Sequence, residues 1–181
     1  MASAALPFSG TFEIDRPHSS VQFAVNHIVS TFRASFDGIE GTLVVDGGDA
    51  SLVATVQAES VSIVDPPEFR EHVVNSDDFF AAHEHPQLTF RSTSVGLRDD
   101  GRATVTGELT IRGISRTVTA HGRYRGPARD PFGIEKAALE LRTTVDRRDW
   151  ELDWQLPLPG GGDAVGWDVD LSAELELVRA A

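Results

Sequence analysis

The chain has 181 residues, 40% of them hydrophobic and 24% charged, a composition that suits one soluble globular domain with its own core and leaves little room for a second. Sixteen Lys and Arg stand against 28 Asp and Glu, a formal charge of −12 with no basic run to offset it, so nucleic acid and anionic membrane surfaces are poor partners. There is no cysteine, which excludes disulfides, thiol nucleophiles and thiolate metal sites.

In chain order, "MASAALPFSGTFEID" carries no basic n-region and no apolar stretch of signal-peptide length. No later run approaches the roughly 20 apolar residues of a membrane span. The expectation is a cytoplasmic chain without stable membrane insertion, a single domain over 1–181 in which 1–10 form a loose tail. "SVQFAVNH" then alternates, with Val21, Phe23 and Val25 on one face. "VDGGDA", with Asp46-Gly47-Gly48-Asp49, is a tight hairpin signature. "PPEFREHVVNSDDFF" carries the helix signal: two prolines, Glu68 and Glu71 in the first turn, and Phe69 and Val73 at helical spacing, which predicts a short helix or two over about 67–80. After it, "LTFRSTSV" puts Leu88 and Phe90 on one face. "ATVTGELTI" alternates Val105, Gly107, Leu109 and Ile111 against polar residues, and "KAALELRTTV" sets Ala137, Leu139 and Leu141 on one side. "VDLSAELEL" is the clearest case, with Val169, Leu171, Ala173, Leu175 and Leu177 facing one way. Turn signals at Gly101, Gly113, "RGPARDPFG" and "PLPGGGDAVG" separate these runs.

About eight strands joined in series, with one helical interruption, predict an all-β, antiparallel up-and-down barrel. Closure removes the edge strands that invite aggregation. A barrel of that size is either filled by side chains or holds one small ligand. Ten Phe and three Trp serve either purpose, and composition alone does not separate the two.

Candidate chemistry is sparse. In "HEHP", His83 and His85 share a face if the segment is extended, and with His72 they make a candidate metal set for a small-molecule enzyme. Against that reading, Pro86 follows at once, which suits a loop entering a strand better than ligands in mid-strand. No Gly-x-Ser-x-Gly elbow occurs, and the glycines of "PGGGDAVG" have neither the lysine nor the following helix of a phosphate loop.

Three strings together resemble the YceI-like family of lipocalin-like polyisoprenoid-binding barrels. "FEIDRPHSSVQFAVNH" matches its opening pattern through Asp15, His18, Ser19, Phe23, Val25 and His27. "DDFFAAHEHPQLTFRST" matches the centre through Asp78, Phe79, Phe80, Pro86 and Phe90. "GELTIRGISRTVTAHGRYRG" matches the third element through Gly107, Leu109, Thr110, Ile111 and Gly113. Arg147, Asp149 and Trp150 follow as a late Arg-x-Asp-aromatic element, but Glu151 stands where the family commonly has glycine. The matches run in order from about residue 12 to 178.

The resemblance implies a non-catalytic binding, storage or transport protein for an isoprenoid, an isoprenoid quinone or a similar long apolar lipid, with no other cofactor. Family members are often homodimers, so the resemblance also leaves room for one here. The expected tunnel lining, taken from the apolar faces, is Phe23, Val25, Phe90, Leu109, Ile111, Leu139 and Leu141, with Phe79 and Phe80 closing one end. His27 and His72 are expected headgroup contacts, by resemblance. Burying each methylene contributes about 0.8 kcal/mol, which is enough for affinity without a polar code.

Overall fold

The computed structural model describes residues 6–181. Their strands are β1 (Gly10–Ile14), β2 (Ser20–His27), β3 (Ser30–Phe36), β4 (Ile39–Asp46), β5 (Asp49–Gln57), β6 (Gln87–Leu97), β7 (Arg102–Ile111), β8 (Ile114–Arg129), β9 (Glu135–Asp146) and β10 (Val165–Arg179). One α-helix, α1 (Pro67–Asn75), lies between β5 and β6.

Eight strands run round the wall in the order β1-β4-β5-β6-β7-β8-β9-β10, all antiparallel, and β1 closes the ring by pairing with β10. The predicted barrel is therefore present, with two strands beyond the eight. Those two, β2 and β3, form a hairpin that lengthens the wall at one end. β10 is long enough to serve both partners: its last residues pair with β1 (Ile14 opposite Leu177), and its first part pairs with β2 (Val25 opposite Val169). The alternation read from "VDLSAELEL" is what allows this, because one face stays apolar along the whole strand.

Turns fall where the residues predict them. β4 and β5 meet across Asp46 and Asp49. β7 and β8 meet across Ile111 and Ile114, with Arg112 at φ 54° and Gly113 at φ 73° in the two-residue link, the geometry that glycine accepts at no steric cost.

One end of the barrel is packed solid. Phe12, Leu43, Leu139 and Leu177 are fully buried there, with Val45, Leu97 and Ala103 beside them. Residues 6–10, expected in a loose tail, belong to this plug. The Leu6 N–H donates to the Gly47 carbonyl at 3.3 Å, and the Phe8 ring meets Phe12 edge-on at 5.5 Å and Tyr124 at 5.8 Å. The rest of the predicted tail, residues 1–5, lies outside the described residues.

The opposite end is built from the β2–β3 hairpin, α1 and the loop from 151 to 164. β3 pairs only with β2, so its other edge needs cover. The segment after β5 supplies it. Ser62 donates its backbone N–H to the Ser35 carbonyl (2.8 Å) and accepts the Ser35 N–H on its hydroxyl (3.0 Å). Phe69 of α1 stacks edge-on against Phe32 at 5.6 Å. The helix is shorter than the 67–80 predicted: it ends at Asn75, where Ser76 turns extended, and a turn carries the chain to Phe80. The start follows from local chemistry, since proline at the first helical position loses no needed N–H and Glu68 faces the positive end of the dipole. Val73 and Val74 anchor it to the core.

Candidate functional site

Between the plug and the hairpin end the barrel is hollow. The cavity measures about 660 Å³, within the roughly 300–1,000 Å³ of small-ligand sites. The hollow follows from the choice of residues on the inward faces. Ala54, Ala120 and Ala173 project only a methyl group, whereas the same faces carry Leu and Phe at the plug. Gly107 adds room of another kind: a Cβ there would meet the Arg91 carbonyl at 2.4 Å and the Phe90 ring at 2.6 Å, so the glycine lets β6 and that ring come close to β7.

The wall is almost entirely apolar, and no Asp or Glu lies on it. Phe23, Phe79, Phe80, Phe90, Leu109, Ile111 and Leu141, all expected as lining, are on it. Val25 and Leu139 are not. Val25 is half-buried between its cross-strand partners Phe32 and Val169, which line the cavity in its place. Leu139 shares the face of Leu141 but lies one pleat deeper, inside the plug and fully buried. Aromatic rings run along one side of the cavity, with Phe23 at 6.0 Å from Phe32 and 5.9 Å from Phe36, and Phe36 at 5.8 Å from Phe80.

The two histidines expected at a headgroup part company. His27, at the end of β2, lines the cavity. His72 lies outside it, in a shallow depression with Glu68, Glu71 and Ser76. Its Nε2 lies 2.8 Å from the Asp78 carboxylate, and its ring backs onto Phe79 (5.1 Å) and Trp154 (5.3 Å), which do line the cavity. His72 thus supports the rim from behind, while Phe69 and Val73 of the same helix line the cavity.

The candidate metal set fares no better. Among the described residues, the group of three acidic and histidine side chains that comes within ligating distance is Asp15, His18 and Glu176, not His72, His83 and His85. A cation already sits against that trio: the Lys136 ammonium is 2.6 Å from Glu176 and 3.6 Å from Asp15. His83 is exposed in the loop before β6, which is where Pro86 placed it.

One polar residue of the wall was not anticipated as a site. Arg147 is 5% exposed and lines the cavity at the end of β9. Its Nε donates to the Gly166 carbonyl (2.8 Å), Nη1 donates to the carbonyls of Leu152 and Trp154 (3.0 Å for the latter), and Nη2 donates to Val165 at 3.4 Å. The Trp167 ring covers it at 4.3 Å. The signal was present in the sequence: Leu141, Thr143, Val145 and Arg147 continue the inward alternation of β9, so an arginine stands where the period requires an inward residue.

The turn that carries Arg147 is held by its neighbours. The Asp146 carboxylate caps it, accepting the Arg148 N–H at 2.9 Å and the Arg148 guanidinium. Those bonds, the side-chain one first, lower the Asp146 pKa from 3.8 to about 2. This contribution is in place above the ordinary pKa and is lost as the pH falls through about 2. The turn ends at Glu151 in the left-handed region, φ 58° and ψ 27°. A side chain is strained there and glycine is not. Glu151→Gly is therefore expected to stabilise the protein by about 0.5–1 kcal/mol, after the entropy that glycine adds to the unfolded chain, which thermal unfolding would show as a rise of about 1–4 °C.

Comparison with known proteins agrees with this architecture. The family model described as the YceI-like domain matches residues 12–177. The chain is similar to UPF0312 protein SAS2572 of Staphylococcus aureus (strain MSSA476), 31% identical over 91% of this chain and 95% of that protein. Among solved structures it resembles BcnA of Burkholderia cenocepacia, with a TM-score of 0.73, 19% identity, and coverage of 90% of this chain and 98% of that one. It also resembles a polyisoprenoid binding domain from Saccharophagus degradans implicated in plant cell wall breakdown, with a TM-score of 0.68, 13% identity, and coverage of 96% and 100%.

Proposed function

We propose that this chain, which belongs to the YceI-like domain family, binds a long apolar isoprenoid, free or as the tail of an isoprenoid quinone, and serves to store or carry it. The observation that carries the reading is the cavity itself: about 660 Å³ of apolar space, plugged at one end and ringed by aromatic side chains. A polyisoprenoid-binding protein of the same architecture supports it. Each methylene that enters contributes about 0.8 kcal/mol, so eight or more of them offset the cost of immobilising the chain.

Binding rather than catalysis is the better reading because the wall offers no acid–base pair. Its titratable members are His27, Arg142 and Arg147, and the one carboxylate of the described residues paired with them, Glu174 at 4.0 Å from Arg142, is not on the wall, where it could orient a histidine or activate a hydroxyl. Among the described residues no helix is long and apolar enough to cross a membrane.

Lipid extraction and mass spectrometry of the purified protein test the proposal. An isoprenoid recovered in near-stoichiometric amount is the expected result. Failure both to recover an apolar ligand and to bind an added C15–C40 isoprenoid would overturn it.

A further inference from the structure

The end of the barrel opposite the plug carries an apolar surface on its outside. Ile28 and Val29 form the turn between β2 and β3, since His27 pairs with Ser30. Val29 is 95% exposed and Ile28 57%. The Ile28 N–H donates to the Ala164 carbonyl at 2.8 Å, and the Ala164 N–H donates to the Leu156 carbonyl at 2.9 Å. Leu156, itself exposed, thus stands beside the turn in one row of bonds. On the other side of the hairpin, the segment after β5 runs antiparallel to β3 with Val61 opposite Phe36, which carries exposed Val64 and Phe69 toward the tip. His27, Phe32, Pro66, Phe69 and Trp154 line the cavity, so this patch is continuous with the apolar wall inside.

Neither folding nor solubility accounts for the two residues of the turn. The other two-residue links use glycine: Gly47-Gly48 between β4 and β5, and Arg112-Gly113 between β7 and β8. Ile28 has φ 52°, a conformation in which a branched side chain is strained and glycine is not. The turn keeps a strained residue whose side chain stays largely in water, next to a valine that is almost wholly in water. Strain retained at an exposed apolar tip points to a contact made outside the molecule.

Charge decides which contact. Residues 28–32 and 154–162 carry no charged side chain, in a protein of net charge −12. Exposed Asp65, Glu68, Asp153 and Asp163 stand behind them, against Arg33 as the one basic residue of the hairpin. A neutral apolar tip with an acidic collar matches a zwitterionic bilayer, whose ammonium groups lie outermost and whose hydrocarbon lies beneath. An anionic leaflet would repel the same collar.

We propose that the hairpin tip, with Leu156, Val64 and Phe69, docks the barrel mouth-first on a zwitterionic lipid bilayer, reversibly and without spanning it. The surface lies outside the cavity and goes beyond the isoprenoid reading. It rests on that reading only for the choice of a bilayer over an apolar protein face, because a ligand that water does not carry must be exchanged where it dissolves.

Flotation with phosphatidylcholine vesicles, with no ligand added, tests the docking. The wild type is expected to float with these vesicles, and less so when phosphatidylglycerol replaces part of the lipid. Each apolar side chain that enters the bilayer tightens binding by about tenfold. Ile28→Gly combined with Val29→Asn places glycine at the strained position and removes both side chains of the tip. That variant should bind vesicles about 100-fold more weakly, while its Tm holds or rises and its affinity for farnesol in vesicle-free solution changes by less than about threefold. Phe132→Ser removes an 88% exposed ring from the plug end and should float like the wild type. Failure of the wild type to float, equal flotation of the turn variant, or tighter binding to the phosphatidylglycerol vesicles overturns the docking surface. Loss of flotation in Phe132→Ser as well shows general adhesion and overturns it too. So does a concentration-dependent dimer that the turn variant abolishes without any vesicle binding, which gives the tip to a second copy of the chain. Farnesol binding in vesicle-free solution reads the cavity separately: docking without it sinks the isoprenoid reading alone, and farnesol binding without docking sinks the surface alone.

Discussion

Ala120→Trp is expected to lower the affinity for an isoprenoid alcohol by about 100-fold or more while the protein stays folded. Ala120 is half-buried on the inward face of β8 and lines the cavity. An indole there takes space that the tail would otherwise fill. Excluding three or four methylenes removes about 3 kcal/mol of transfer free energy, which is a factor of about 100. In a close-packed core the same change is an overpacking mutation that costs about 1–3 kcal/mol. Here the ring has a void to enter and gains contacts, so the melting temperature should hold or rise. Thr117→Trp, on the outward face of the same strand, controls for the ring itself and should bind like the wild type. Titration with farnesol alongside a thermal melt reads both quantities. Wild-type binding by Ala120→Trp would show that the tail does not occupy this part of the barrel. A large loss of stability would show that the interior is filled.

The strands were legible because alternation is a local property. Val169 to Leu177 could be placed on one face of β10 without knowledge of any neighbour, and the order of the wall followed from hairpins joined in series. Alternation does not report depth. Leu139 and Leu141 stand on the same face two residues apart, yet one fills the plug and the other lines the cavity. The difference depends on which side chains the seven other strands of the wall bring to that height, and no window of sequence contains that information. The same limit explains the tail. "LPFSG" has no partner nearby in sequence, and its order comes from Gly47 and Tyr124. His72 stands in a motif that implies a ligand contact, but on α1 it is Phe69 and Val73 that line the cavity, and His72 has Asp78 as its partner. Arg147 was the reverse case. Its parity was visible, but the carbonyls of Leu152, Trp154, Val165 and Gly166 reach it through a loop whose glycines and prolines carry no period. Glu151 shows what a departure from a family pattern can mean physically: the position has glycine geometry, and the backbone keeps it with a strained residue.

Trp150→Ala is the substitution expected to cost the most stability, about 3–5 kcal/mol. Trp150 is 1% exposed and is among the largest fully buried side chains of the described residues. With Ile111 and Leu152 it forms a second core cluster, against which Phe80, Leu88 and Val145 pack. Its indole N–H donates to the Leu109 carbonyl at 3.0 Å, which ties the turn after β9 to β7, the strand on the far side of β8. Alanine removes the ring and the bond together. In a chain of this size the loss corresponds to a fall of roughly 6–20 °C in Tm. Trp150→Phe keeps most of the ring and should lose only about 1–2 kcal/mol, the share of the hydrogen bond and the shape change. Because Trp150 also lines the cavity, the void left by alanine opens into the ligand space rather than forming a sealed hole. A ligand that occupies the cavity should therefore recover part of the loss. At 100 times its Kd a ligand adds about 2.7 kcal/mol to any variant that binds it. The variant should show at least the wild-type rise in Tm with a longer isoprenoid than the wild type prefers, since its cavity is larger. If the rise in Tm on adding ligand vanishes instead, Trp150 is needed to shape the site, and the second core cluster and the binding wall are one unit rather than two that happen to touch.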